Sequence, residues 1–161
     1  MARVVGFCGI SNSGKTTLIE KLSLLLRQKE KKVFILKHDP KDKAKFDTEG
    51  KDSYRFFQSG ADVAVYSPNK TIIMIQNSSP TLQQIITPFL KEWDYIFIEG
   101  LRDLKEFEKI LVARERIEQG YEEGVKAFAL KNIAKVGENV LDLDNISQIL
   151  EWINLHIKDE K

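Results

Sequence analysis

Short uninterrupted apolar runs alternate with amphipathic stretches along most of the chain. Residues 4–7, 33–36 and 95–98 are runs of mostly β-branched or aromatic side chains, the pattern of strands covered on both faces in a parallel sheet. Between the first two, Leu18, Leu22, Leu25 and Leu26 recur at helical spacing ahead of the basic end QKEKK, whose cations complement the negative end of a helix dipole. Residues 3–37 therefore predict one βαβ unit. Further along, residues 52–60 predict a short helix stopped by Gly60. DVAVYS and KTIIMIQ flank the turn SPNK, which predicts an antiparallel hairpin. The stretch TLQQIITPFL places Leu82, Ile85, Ile86 and Phe89 on one helical face with Pro88 near its end. KILVAR (109–114) and VKAFAL (125–130) predict two more strands. A last helix opens on Asn145 with Gln148 three residues on, a capping-box spacing, and carries Ile146, Ile149, Leu150, Ile153 and Ile157 as its stripe.

The segment between the first strand and the first helix adds chemistry to this outline. GISNSGKT (9–16) places Gly9, Gly14, Lys15 and Thr16 in the pattern G-x-x-x-x-G-K-[ST]. Glycines at these positions let the backbone curl so that successive N–H groups, those of Asn12 and Ser13 included, face phosphate oxygens. The helix that follows adds its positive end. Lys15 then reaches the β- and γ-phosphates, and the Thr16 hydroxyl is the expected Mg²⁺ ligand. The chain is read as a P-loop NTPase of the α/β class: three layers α/β/α, a mostly parallel sheet and an antiparallel hairpin in the middle. With no internal repeat, low-complexity tract or linker, residues 1–161 are expected to form a single nucleotide-binding domain.

The composition narrows the class rather than changing it. Hydrophobic residues make up 42% and charged residues 30% of the 161 positions, as in ordinary soluble globular proteins. A net charge of +1 gives no reason to expect a nucleic-acid partner. One cysteine excludes an intrachain disulfide, and Cys8 reads as a small buried hydrophobe. Trp93 and Trp152 read as packing residues. The amino-terminal apolar run is too short for a signal peptide, and no stretch nears the ~20 apolar residues of a membrane span. A cytoplasmic location without membrane association is expected.

Acidic residues decide what happens to the nucleotide. A Mg²⁺ at the β- and γ-phosphates needs oxygen ligands near the strand ends beside the loop. Asp39 and Asp47 follow the second strand, and Glu99 ends the strand DYIFIEG. Asp94 begins that same strand, roughly 15 Å away by strand rise. Glu99 is preferred, because ligands in open α/β sheets gather at the carboxyl ends of strands. The segment FDTEGKDSYR (46–55) holds Asp47 and Gly50 as D-x-x-G, followed by Lys51, Asp52, Ser53 and Arg55. It is read either as a nucleotide-sensing switch or as a loop leading to a helix capped by Ser53 or Asp52.

GISNSGKTTLIEKL, ILKHD, DTEGKDSYRFFQSGA, DYIFIEGLRD and KILVAR, in that order, resemble the molybdopterin-guanine dinucleotide biosynthesis protein B family over essentially the whole chain. The resemblance implies a cytosolic protein that binds GTP with Mg²⁺, hydrolyses it weakly and forms a homodimer. It implies an adaptor to the molybdopterin guanylyltransferase, with molybdopterin or its guanine dinucleotide as a further candidate ligand. Gly9, Gly14, Lys15, Thr16 and Thr17 match the phosphate loop; Asp47 and Glu99 match acidic positions near the metal. Lys15, Asp47 and Glu99 are the candidate catalytic residues, and Lys51 joins the candidate nucleotide contacts. Lys37 and His38 match a basic pair after the second strand. The lysine-rich KDKAKF (41–46) reads as a solvated loop or as a contact for a pterin phosphate or partner. Two departures stand out: Glu108 replaces the family's usual proline, and a strand ends ALKN where the family often has a small residue and Asp. No N-K-x-D is present, so base preference is not legible, and Asn132 is the candidate for the base edge.

Two other functions fit a P-loop chain of this size. A small-molecule kinase would clamp the transferring phosphoryl group with clustered arginines. Residues 113–124 offer Arg114 and Arg116, but four glutamates accompany them. A metallochaperone-type GTPase would carry a His- or Cys-rich tract, whereas this chain has one Cys and two His.

Overall fold

The computed structural model describes residues 1–76, 78–135, 137 and 139–160. Two compact units emerge. One joins Met1–His38 to Ile86–Lys161, and the other is Asp39–Ile85.

The larger unit is built on six strands in the order β2-β5-β1-β6-β7-β8. These are β1 (Arg3–Cys8), β2 (Val33–Lys37), β5 (Tyr95–Glu99), β6 (Lys109–Arg114), β7 (Val125–Lys131) and β8 (Val140–Asp142). Every neighbouring pair in this sheet is parallel. β1 lies at the centre, with Phe7 opposite both Glu99 of β5 and Ile110 of β6. The runs read as doubly covered strands are so for β1 and β5, which are buried along nearly their full length. β2 differs: among the described residues it pairs with β5 alone, and Ile35 keeps 44% of its surface exposed. An apolar run does not distinguish a central strand from an edge.

One face of the sheet, carrying Val5, Phe7, Phe97, Ile110 and Val112, packs against α1 (Lys15–Gln28) and α4 (Ile146–His156). α1 buries Leu18, Ile19, Leu22 and Leu26, and Leu25 is only partly covered. Each full burial contributes about 1.5–3 kcal/mol, which more than offsets the lack of a side-chain cap at the helix start. On the other face Cys8, Leu111, Ala113 and Leu130 form a smaller cluster under Ile117, Tyr121 and Ile133. Cys8 is 1% exposed, as the sequence led one to expect, and burial pushes its thiol pKa up. Trp93 stands edge-on to Phe89, itself stacked on Phe34 at 3.9 Å. Trp152 donates from Nε1 to Asn139 Oδ1 at 3.1 Å. Both tryptophans pack, as expected.

The stretch TLQQIITPFL forms α3 (Leu82–Ile86) and then a 3₁₀ turn, Thr87–Phe89. Pro88 has no N–H to continue the α-helical ladder. Of the expected stripe only Ile86 is buried, while Ile85 is exposed. Three-residue β8 has no counterpart in the sequence reading. Among the described residues no helix is long and apolar enough to cross a membrane.

The smaller unit contains α2 (Asp52–Gln58) and a two-stranded antiparallel sheet, β3 (Val63–Ser67) with β4 (Lys70–Met74). The expected short helix ends at Ser59 and Gly60, the latter with φ 94°. Gln76 ties the unit together: its Nε2 donates to Phe57 O at 2.7 Å and to Ala61 O at 3.0 Å. Asp39 serves the backbone here, its Oδ2 accepting from the N–H groups of Lys43 and Ala44, both at 2.7 Å. Loop capping accounts for that carboxylate.

Candidate functional site

The β1–α1 loop leaves the sheet at Gly9 and enters the helix at Gly14, and both need glycine. Gly9 has φ 139°, and a Cβ there would stand 2.3 Å from Val112 O, a backbone atom that cannot give way. Gly14 has φ 102° and caps α1 in the left-handed conformation. Asn12 also takes positive φ, 64°. The first turn of α1 has no acidic residue and no side-chain cap, so its leading N–H groups remain available to an anion. Ser13 is buried beneath the loop, and Thr17 is exposed in the first turn.

Lys15 folds back across the loop. Its Nζ donates to Gly9 O at 2.9 Å and Ile10 O at 2.7 Å. Burial is the larger influence on this ammonium and lowers its pKa; Glu99 pulls in the opposite direction. Thr16 Oγ1 donates to Glu99 Oε1 at 2.8 Å, and Lys37 Nζ lies 3.9 Å from Glu99 Oε2. Glu99 is only 8% exposed, so it is not a solvated strand-end acid. Asp94, at the opposite end of β5, accepts from Lys32 N at 2.8 Å and pairs with Lys31 at 3.1 Å. Its carboxyl pKa is held down chiefly by the Lys32 N–H. Asp94 is a structural acid.

The donor set can be tested against a magnesium–nucleotide complex. Among the described residues no cluster of three or more His, Cys, Asp or Glu could hold a metal alone. Mg²⁺ keeps several waters and commonly takes one or two carboxylates plus substrate phosphates. A hydroxyl and a buried carboxylate bonded to one another, at the head of an uncapped helix, fit that requirement.

Asp47 and Lys51 belong to the smaller unit. Asp47 Oδ1 accepts from Thr48 N at 2.7 Å, while Oδ2 is closed off from solvent and has no hydrogen-bond partner among the described residues. Asp47 lines a cavity of about 810 Å³ with Phe46, Tyr54, Phe57 and Ile72. Lys51 is the N-cap position of α2 and uses no side-chain bond there. That observation replaces Ser53 or Asp52 as the expected cap. Asn132 follows β7 with φ 57° and lines a cavity at the carboxyl ends of β7 and β8.

Arg114, set aside in the sequence because glutamates surround it, stands at the loop. The Arg114 guanidinium lies over Gly14, 3.0–3.2 Å from where a Cβ would stand. Arg116 is paired with Glu118 at 2.8 Å. Counting glutamates nearby in sequence hid the difference: one arginine is neutralised locally, and its neighbour faces the loop.

Residues 4–134 match the family model described as molybdopterin guanine dinucleotide synthesis protein B. A molybdopterin-guanine dinucleotide biosynthesis adapter protein of Haemophilus influenzae is 30% identical over 156 residues, covering 93% of this chain and 86% of that one. A Methanocaldococcus jannaschii protein given the same adapter name provisionally is 30% identical over 98% of this chain, which spans 58% of that longer relative. A crystal structure of molybdopterin-guanine biosynthesis protein B superposes with a TM-score of 0.72 at 25% identity, over 94% of this chain and 97% of that one. The sheet order, the P-loop and these relatives agree, and the chain belongs to the molybdopterin guanine dinucleotide synthesis protein B family.

Proposed function

We propose that the chain acts in molybdopterin guanine dinucleotide biosynthesis as a GTP-binding adaptor to the molybdopterin guanylyltransferase, with a slow Mg²⁺-dependent GTPase of its own. The adaptor role is supported by the names carried by its relatives. The nucleotide reading is carried by one observation: Lys15 Nζ is held on Gly9 O and Ile10 O at the head of an uncapped helix. An ammonium and the leading N–H groups of an uncapped helix are the kind of donors that a phosphate requires.

In this reading the N–H groups of Asn12 to Thr17 hold the phosphates and Lys15 places its charge beside the β- and γ-oxygens. Mg²⁺ supplies charge neutralisation there when bound. The Thr16 hydroxyl would hold the metal, and Glu99 would hold it directly or through a water. Asp47 is proposed as the second acid, Lys51 as a nucleotide contact and Asn132 as a contact to the base edge. A homodimer in the cytoplasm completes the reading, and the cavity beside Asp47 is the proposed place for a pterin.

Calorimetric titration with GTP and ATP, for the wild type and Lys15→Ala, tests the binding. Lys15→Ala is expected to lose most triphosphate affinity while remaining folded; unchanged affinity would overturn the assignment. Phosphate release separates the adaptor from a kinase. Ras-type GTPases without a supplied arginine turn over at roughly 10⁻⁴ s⁻¹, whereas kinases run at about 1–100 s⁻¹. Release well below one turnover per second is expected. Faster turnover onto a small-molecule acceptor would favour the kinase.

A further inference from the structure

The carboxyl ends of β6, β7 and β8 gather polar groups beside the phosphate loop. Arg114 ends β6 opposite Lys131 of β7, and Asn132 follows in the left-handed conformation. A cavity of about 430 Å³ opens here, lined by Lys131, Asn132, Asp142, Asp144 and Gln148 over Leu130 and Leu141. Most of its acceptors are already committed. Asp142 Oδ1 takes the Asp144 N–H at 2.9 Å, and Gln148 Oε1 takes the Asp142 N–H at 2.9 Å. Lys131 Nζ sits 2.6 Å from Asp144 Oδ2. Among the described residues no hydrogen bond reaches Oδ1 of Asp144.

This group lies on one side of the loop, and Glu99 lies on the other. β1 is flanked by β5, which carries Glu99, and by β6, which carries Arg114. In the nucleotide reading proposed above, the γ-phosphate and metal would take the Thr16–Glu99 side, which leaves the β6–β8 side for the nucleoside. β7 stands two strand spacings from β1, about 10 Å. A ribose and one phosphate reach across such a gap. Arg114, over Gly14, stands between the loop and the cavity.

We propose that this cavity is the nucleoside subsite of the chain, with Asp144 as the residue that selects guanine. The inference rests on the nucleotide-binding reading above. Guanine presents two donors side by side, the N1–H and the exocyclic N2 amine, and an ionised carboxylate accepts both. Adenine presents a lone pair at N1, which a carboxylate repels. The bond to Lys131 lowers the pKa of the Asp144 carboxyl, and an aspartate is ionised at neutral pH even without it. That ion pair is exposed on both sides, with 40% and 50% of the two side chains open, so it opens at little cost. The Asn132 amide donates to the guanine O6, and Arg114 offsets the α-phosphate charge. Base selection here needs no N-K-x-D.

Xanthine keeps the N1–H but presents a carbonyl at C2, so an amide suits it where a carboxylate suits guanine. The experiment is a titration of wild type, Asp144→Asn and Lys15→Ala with GTP, ATP and XTP in the presence of Mg²⁺. Asp144→Asn is expected to lose GTP affinity by roughly ten- to a hundredfold, gain XTP affinity by a comparable factor and keep its ATP affinity. Unchanged GTP affinity, or an equal loss toward all three nucleotides, would overturn the inference while leaving the phosphate site intact. A wild type that binds GTP and ATP equally well would do the same. If the wild type binds none of the three, the nucleotide reading fails and this inference falls with it.

Discussion

Thr16 and Glu99 carry the argument at the scale of the residue. A hydroxyl that donates at 2.8 Å to a carboxylate only 8% exposed is a preorganised pair, and in the proposed GTPase it would stand where charge develops. Glu99→Gln keeps the shape and removes the charge. Its effect should fall on hydrolysis more than on affinity, because the interaction strengthens as transition-state charge grows. A charge-assisted hydrogen bond is worth about 1.5–3 kcal/mol, so kcat should drop at least tenfold with Kd for GTP little changed. Single-turnover phosphate release alongside calorimetry checks this; equal hydrolysis by the variant would reduce Glu99 to a buried anchor for Thr16. The loop pattern and the strand-end position of Glu99 were both legible in the sequence. So was the rejection of Asp94, from strand rise alone. Arg114 was not legible, because its use depends on which neighbour in space engages it, and its neighbours in sequence misled.

At the scale of the element, α4 shows how a sequence signal can be half right. The spacing of Asn145 and Gln148 predicts a reciprocal capping box. Asn145 Oδ1 does accept from Gln148 N, at 3.1 Å. The Gln148 side chain, however, turns away and accepts from Asp142 N, joining the helix to β8 instead of closing the box. Asn145→Ala should therefore cost about 1 kcal/mol, the ordinary value of an N-cap, read as a shift in denaturant midpoint at constant slope. A null effect would mean that β8 alone fixes the helix start. The long strands and both long helices were legible because burial imposes a period on many residues. β8 was not, since three residues set no period, and Ile85 was misplaced because Pro88 turns the backbone before the stripe is complete.

At the scale of the whole molecule, the hairpin and the residue after it leave several large apolar side chains exposed. Tyr66 is 84%, Ile73 66%, Ile75 58% and Val65 40% exposed, on a sheet of only two strands. An apolar surface on a short, two-edged sheet calls for cover. The proposed homodimer would supply it with the same patch from a second copy, the isologous arrangement that closed dimers use. In such an interface a substitution acts twice. Burying one isoleucine contributes about 1.5–3 kcal/mol, so removing it from both copies would cost on the order of 3–6 kcal/mol. Through the affinity relation this is roughly two to four decades in the dimer dissociation constant. Light scattering at micromolar concentration should give twice the 18.5 kDa chain mass for the wild type. Ile73→Glu should give the single-chain mass while keeping GTP affinity, because Ile73 plays no part in the phosphate loop. A wild type of single-chain mass would remove the dimer. An Ile73→Glu protein that stays dimeric would move the interface away from the hairpin.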